Sequence, residues 1–128
     1  MAVAWYLPDE NDDYAAKLLD RIEDSRLIVP PIWPVETANA LLSAERRGRL
    51  SREATDSSID SLRSLPIEVA LESDLASMPS VVALARESGL SAYDASYLRT
   101  ALGLGLPLAT LDERLRSAAR RSGVALAQ

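Results

Sequence analysis

Hydrophobic positions along the chain follow two alternating patterns. Short apolar runs, typical of buried strands, occur at residues 27–29, 67–69, 107–110 and 124–127. Longer segments place apolar residues three or four apart, which predicts helices at residues 14–22, 34–48, 52–65, 75–89, 91–103 and 112–121. Because strands alternate with helices, the pattern predicts an α/β fold layered around a mostly parallel sheet.

The predicted helix at residues 34–48 has clear start and stop signals. Pro34 suits a first helical turn, and Gly48 suits the position just after a last turn. Its predicted apolar stripe consists of Val35, Ala38, Leu41 and Leu42. We expect this stripe to face the core.

Length and composition favour one globular domain. The chain has 128 residues, 48% of them hydrophobic and 26% charged, which is close to the globular average. We therefore assign residues 1–128 to a single domain. No apolar run approaches the ~20 residues of a membrane span, and no secretory signal opens the chain. We expect a cytoplasmic protein with no membrane association.

The absence of certain residue types limits the possible chemistry. The chain contains no cysteine and no histidine, and Lys17 is its only lysine. Thiol nucleophiles, histidine bases, histidine metal ligands and phosphate-loop lysines are therefore excluded. Any catalysis must use carboxylates, hydroxyls, arginines and a bound metal ion.

Charge is uneven along the chain. The net charge is −5, which argues against non-specific coating of nucleic acid. Eight arginines nevertheless form two local clusters, namely Arg46, Arg47, Arg49 and Arg52, and Arg114, Arg116, Arg120 and Arg121. Either cluster could contact phosphates, or each could simply be a solvated helix face.

Three carboxylates occupy matching positions. Glu36, Asp94 and Asp112 each lie in small or apolar surroundings at the first turn of a predicted helix. Loops at the carboxyl ends of parallel strands bind ligands in such folds, so the three acids could converge there. The alternative is local, because acids favour helix starts and Ser91 and Thr110 have capping-box spacing to the acids that follow them.

Convergence of these acids would require a counter-charge. Neighbouring carboxylates repel one another, which raises their pKa values. A hard cation such as Mg²⁺ or Mn²⁺ removes that repulsion and prefers oxygen ligands. A chain without histidine could hydrolyse a phosphodiester with such an ion.

The segments around these acids resemble the acidic motifs of the PIN domain family, and VapC-type toxins are the most similar subgroup. Residues 34–41 (PVETANAL) resemble the second motif, residues 93–98 (YDASYL) the third, and residues 108–115 (LATLDERL) the fourth. Residues 2–10 resemble the helix that follows the first motif. The resemblance extends over nearly the whole chain.

This resemblance implies a three-layer α/β/α fold and a magnesium- or manganese-dependent endoribonuclease of a toxin–antitoxin pair. By similarity, Glu36, Asp94 and Asp112 would be the catalytic metal ligands. Thr110 would support the site through its hydroxyl, and Asn39 would be a weaker supporting residue. The implied partners are an RNA substrate, a cognate antitoxin that blocks the acidic site, and a second copy in a homodimer.

The chain departs from the family pattern at its beginning. In the family, an Asp ends the central first strand, just before the helix that residues 2–10 resemble. We therefore expect that the first strand and its Asp are missing from this chain and are encoded upstream of Met1. Because a missing central strand leaves backbone groups unpaired, the truncated form should be less stable and less active than an extended one.

Two other functions remain open. A PIN-like module without activity could bind only an antitoxin or another copy of itself, and the missing Asp favours this. A phosphoacceptor receiver domain is also α/β and acidic, but it needs a late lysine, and none follows Lys17.

Overall fold

The computed structural model describes residues 2–4, 27–71 and 74–127, with the backbone alone at residues 2–4 and 74. The strands described are β1 (Ala2–Ala4), β2 (Leu27–Val29), β3 (Ile67–Val69) and β4 (Leu108–Ala109). The helices described are α1 (Trp33–Arg46), α2 (Arg52–Arg63), α3 (Asp74–Ser88), α4 (Ala92–Leu104) and α5 (Glu113–Arg121). They build the α/β/α architecture that the resemblance to PIN domains implies.

The four strands form one parallel sheet in the order β3-β2-β1-β4. In its interior, β1 pairs Ala2 with Leu27 of β2 and Val3 with Leu108 of β4. The non-sequential order brings the end of β4 close to the ends of β1 and β2. The described segments that follow β2 and β4 therefore start at the same edge of the sheet.

The expectation that this chain has no central strand is wrong. Residues 2–4 lie as a strand between β2 and β4, where the resemblance predicted the start of a helix. The physical reason is the ladder of backbone groups that β2 and β4 would otherwise leave unpaired. A short apolar segment satisfies those groups by pairing on both sides, whereas a helix would not.

The other predicted strands differ in how far they form. The strands at residues 27–29 and 67–69 have the predicted bounds, and the third shortens to Leu108–Ala109. The predicted final strand is reduced to a bridge between Leu108 and Leu126, with Leu108 N–H bonded to the Ala125 carbonyl at 2.9 Å. The predicted helix at residues 14–22 lies outside the described residues.

The core lies between the sheet and the helices on it. In α4, Ala95, Tyr97 and Leu98 are fully buried, which makes this helix the most deeply buried one described. It packs against α3, α5 and the central strand β1. The remaining members of the main core cluster are Val29, Trp33, Leu90, Ala101, Leu108, Leu115, Ala118, Ala119 and Val124.

The predicted apolar stripe of α1 is only partly correct. Leu41 is buried, but Val35 is 65% exposed and Leu42 is 39% exposed. The buried face consists of Trp33, Thr37, Leu41 and Ala44. The indole of Trp33 determines this orientation, because it contributes a large apolar surface to the core and carries the small Thr37 inward one turn later.

Local signals fix the helix ends. The hydroxyl of Ser51 accepts a hydrogen bond from Ala54 N–H at 3.0 Å and so caps α2. Helix α4 ends at Gly105, whose φ of 66° suits glycine. In the described part of the chain, no helix has the length and apolar character needed to cross a membrane.

Candidate active site

The loop after β4 places Asp112 at the start of α5. The Asp112 Oδ1 atom accepts a hydrogen bond from Leu115 N–H at 3.0 Å, so Asp112 is itself the N-cap. The alternative capping box from Thr110 to Glu113 is therefore not the one that forms. Only one carboxylate oxygen takes part in this cap, so the cap is compatible with a second role for Asp112.

Thr110 supports this loop from within the core. Its side chain is 1% exposed, and its hydroxyl accepts a hydrogen bond from Asp112 N–H at 3.1 Å. Arg116 donates to the Thr110 carbonyl oxygen at 3.3 Å from one turn further along α5. These two contacts hold the backbone on which the Asp112 carboxylate is carried. A catalytic supporting role for Thr110 stays a prediction.

The capping role of Asp112 can be separated from its charge. Asp112→Ala should lower the free energy of unfolding by about 1 kcal/mol, because the cap is lost. Asp112→Asn should be about 1 kcal/mol more stable than Asp112→Ala, since asparagine caps as well as aspartate does. Both variants remove the same charge, so chemical denaturation of the pair measures the cap alone. Equal stability of the two variants would rule out the cap as a contributor.

Asp94 lies in the first turn of α4. Its backbone N–H donates to the Ser91 hydroxyl at 3.1 Å, so Ser91 caps this helix, as the local alternative predicts. Burial raises the pKa of the Asp94 carboxyl above its usual 3.8, and the negative charge of Asp112 raises it further. A hydrogen bond with the Ser91 side chain and the positive charge of Arg114 offset part of this rise. Asp94 and Asp112 are thus close enough to repel each other.

Glu36 joins this group through a tyrosine. The Tyr97 hydroxyl donates a hydrogen bond to Glu36 Oε1 at 2.6 Å, which links α4 to α1. Burial, the hydrogen bond to Glu36 and the charges of Glu36 and Asp94 all raise the pKa of Tyr97 far above its usual value. The phenol therefore stays protonated and lies within the electrostatic reach of both acids.

Tyr97 was missed in the sequence analysis. In the sequence it resembles an ordinary core residue of its helix, and in the structure its side chain is fully buried. The available signal was its position three residues after Asp94, which places the two side chains on one face of the helix. A buried tyrosine also needs a partner for its hydroxyl.

The predicted supporting residue Asn39 has a different environment. It lies on α1, three residues after Glu36, and its side chain is exposed. The contacts that define the acidic group run through Tyr97, Thr110 and Ser91. The role of Asn39 therefore stays a prediction.

The donor set suits a hard divalent cation, although it is not a closed cage. Asp94 and Asp112 repel each other, and a cation between them would relieve that repulsion. Within residues 27–71 and 75–127, no three acidic side chains stand close enough to form a complete ligand cluster. Mg²⁺ needs no such cluster, because it keeps several waters and binds through one or two carboxylates.

The arginines of α5 differ in the acids that they face. Glu113 Oε2 lies 3.9 Å from Arg116 Nε, and Glu113 Oε1 lies 3.4 Å from Arg120 Nη1. Part of the α5 cluster is therefore paired within its own helix. Arg114 instead acts on the charge of Asp94 and is exposed. Arg114 is thus the positive side chain that the described contacts associate with the acidic group.

Comparison with known proteins identifies the family of the chain. The sequence pattern of the PIN domain matches residues 1–121 of the chain. Ribonuclease VapC3 of Pyrobaculum aerophilum is 27% identical over 112 residues, which cover 88% of this chain and 84% of that protein. A crystal structure of a Pyrobaculum aerophilum protein, 27% identical, covers 91% of this chain and 83% of its own, with a TM-score of 0.71. The chain belongs to the PIN domain family.

Proposed function

We propose that this protein is a metal-dependent endoribonuclease that uses Mg²⁺ or Mn²⁺ held by Glu36, Asp94 and Asp112. The observation that carries the proposal is the mutual repulsion of Asp94 and Asp112 at the starts of their helices, with Glu36 joined to them through Tyr97. Such an arrangement is unfavourable in isolation. A bound cation makes it favourable.

Each acid has a definable part in holding the ion. Asp94 and Asp112 are the pair whose charges interact, so they are the direct ligands we propose. Glu36 accepts a hydrogen bond from Tyr97 and suits a ligand that acts directly or through a metal-bound water. When bound, the ion would lower the pKa of a water molecule and stabilise charge on a phosphoryl oxygen.

RNA is the substrate class we propose. The chain is similar to a protein named as a ribonuclease. Its net charge of −5 means that any attraction to phosphate must be local. Arg114, exposed and within electrostatic reach of Asp94, is positioned to meet a phosphate beside the acids.

An antitoxin and a second copy of the chain are the protein partners we propose, in the cytoplasm. Support comes from the VapC-type resemblance and from an apolar stripe on α3. Leu75, Met78 and Val82 lie about one helical turn apart and are 79%, 56% and 41% exposed. Exposed apolar stripes of this kind mark protein interfaces.

A non-catalytic binding module is the second candidate. It is favoured by the lack of a complete acidic cluster among the described residues. Titration of the purified chain with Mn²⁺ in a calorimeter separates the two candidates. Saturable binding supports the nuclease, whereas no binding supports the module.

The nuclease proposal has a direct test. Incubation of the protein with single-stranded RNA should yield internal cleavage with Mg²⁺ or Mn²⁺, none with a chelator, and recovery on re-addition of the metal. Gel analysis of end-labelled RNA measures the internal cuts. Cleavage that persists undiminished in the chelator would contradict the metal-dependent mechanism.

A further inference from the structure

Among the described contacts, the Tyr97 hydroxyl is the polar atom that links the segment at residues 93–98, which carries Asp94, to the segment at residues 34–41, which carries Glu36. Its bond to Glu36 Oε1 measures 2.6 Å and spans 61 residues of sequence. The side chain on which it stands is 0% exposed and belongs to the main core cluster. A rigid core residue thus places a donor at the edge of the acidic site.

The bond constrains Glu36 more than Tyr97. The Tyr97 ring is buried in the core. Glu36 is only partly buried on α1, and its carboxylate stands at the end of a flexible side chain. A glutamate at such a position would sample several rotamers, and fixing one of them has an entropic cost. The hydrogen bond selects the rotamer in which Oε1 faces α4, which is also the helix that carries Asp94.

The same bond leaves Glu36 able to act as a ligand. A carboxylate has two oxygens and about four lone-pair sites, and a phenol has one proton to donate. A phenol with a pKa of about 10 or higher is neutral at physiological pH, so it adds no charge that would compete with a cation. Partners of this kind orient metal ligands and raise the affinity of the site.

We propose that Tyr97 is a positioning residue that holds the Glu36 carboxylate beside α4, so that Glu36 supports a divalent ion bound by Asp94 and Asp112, directly or through a metal-bound water. This inference rests on the proposed function. A purely structural role predicts a different outcome, because the ring alone would fill the core. The hydroxyl then would matter only for stability.

The test replaces Tyr97 by phenylalanine, which keeps the ring and removes the donor. Mn²⁺ affinity, measured by calorimetry on the RNA-free protein, should fall by about 10-fold or more, as is typical when a partner of a ligand is lost. RNA cleavage should recover when Mn²⁺ is raised to saturation. Tyr93→Phe is the matched control, because Tyr93 lies on the same helix and is 59% exposed. Its Mn²⁺ affinity should equal that of the wild type.

A double-mutant cycle covers the case in which Tyr97→Phe also perturbs folding. In a Glu36→Gln background, the change at Tyr97 should have little further effect on Mn²⁺ affinity, because the ligand that it orients is already impaired. An unchanged affinity for Tyr97→Phe, or fully additive effects in the cycle, would overturn the positioning role while the nuclease proposal stands. Failure of the wild type to bind Mn²⁺ would overturn both.

Discussion

Asp94→Asn should reduce metal-dependent RNA cleavage by about 100-fold or more. The asparagine would lack the negative charge that attracts the cation, and loss even of a ligand's partner typically costs ~10- to 100-fold. Asp94 is also the described carboxyl whose pKa is raised by a second acid, Asp112. The initial rate of cleavage of a defined RNA at fixed Mn²⁺ measures the effect.

The same substitution should stabilise the metal-free protein at neutral pH. The folded-state pKa of Asp94 is raised, so the folded protein favours the protonated form. Protonated Asp94 therefore contributes to the free energy of unfolding in acid, and this contribution is lost as the pH rises through the raised pKa. Asparagine does not ionise and avoids this loss. The difference in melting temperature between Asp94→Asn and wild type, measured in a chelator, should grow from mildly acidic to neutral pH.

Adding Mn²⁺ should reverse that order. The ion binds the folded wild type and stabilises it by mass action, whereas Asp94→Asn gains little. Asp56→Asn is the control, since Asp56 is an exposed acid on α2. It should match the wild type in both conditions. If Asp94→Asn lowered the melting temperature in the chelator at neutral pH, electrostatic strain at this site would be disproved.

The acidic positions could be predicted because they follow local rules. Asp94 and Asp112 stand just inside or at the caps of helices whose starts are marked by small polar residues. The number of residues between a capping residue and the acid that follows it can be read directly from the sequence. The choice between Thr110 and Asp112 as the cap could not be predicted, because both residue types cap helices and backbone geometry decides between them.

The face of α1 that enters the core depended on information that the local pattern lacks. Val35 and Trp33 are both apolar, and each defines a different stripe on the helix. Only the position of the sheet and of α4 selects the Trp33 face. The same holds for Tyr97, whose partner Glu36 lies 61 residues away in the sequence. No local pattern reveals a pair at that separation.

The central strand was mispredicted for a related reason. Residues 2–4 are three small apolar residues, and so short a run favours neither a helix nor a strand strongly. Their state is decided by the backbone groups of β2 and β4, which come from distant parts of the chain. Tertiary pairing overrides a weak local preference.

Leu108→Ala should be the most destabilising of the substitutions considered. Leu108 is fully buried and lies in β4, between the central strand and the bridge to Leu126. Truncation of a buried leucine costs about 2–5 kcal/mol, because apolar contact is lost and a cavity remains. This is a large share of the ~5–15 kcal/mol of total stability typical of a native protein. Urea denaturation followed by circular dichroism measures the loss.

Leu71→Ala provides the matched control for this prediction. Leu71 is fully exposed, so its truncation should change stability by less than about 0.5 kcal/mol. Leu108→Ala should also impair RNA cleavage at temperatures where the fold persists, because β4 leads directly into the loop that carries Thr110 and Asp112. If Leu108→Ala and Leu71→Ala proved equally stable, β4 would not be part of the packed core. The loop that carries Thr110 and Asp112 would then not depend on the packing of β4.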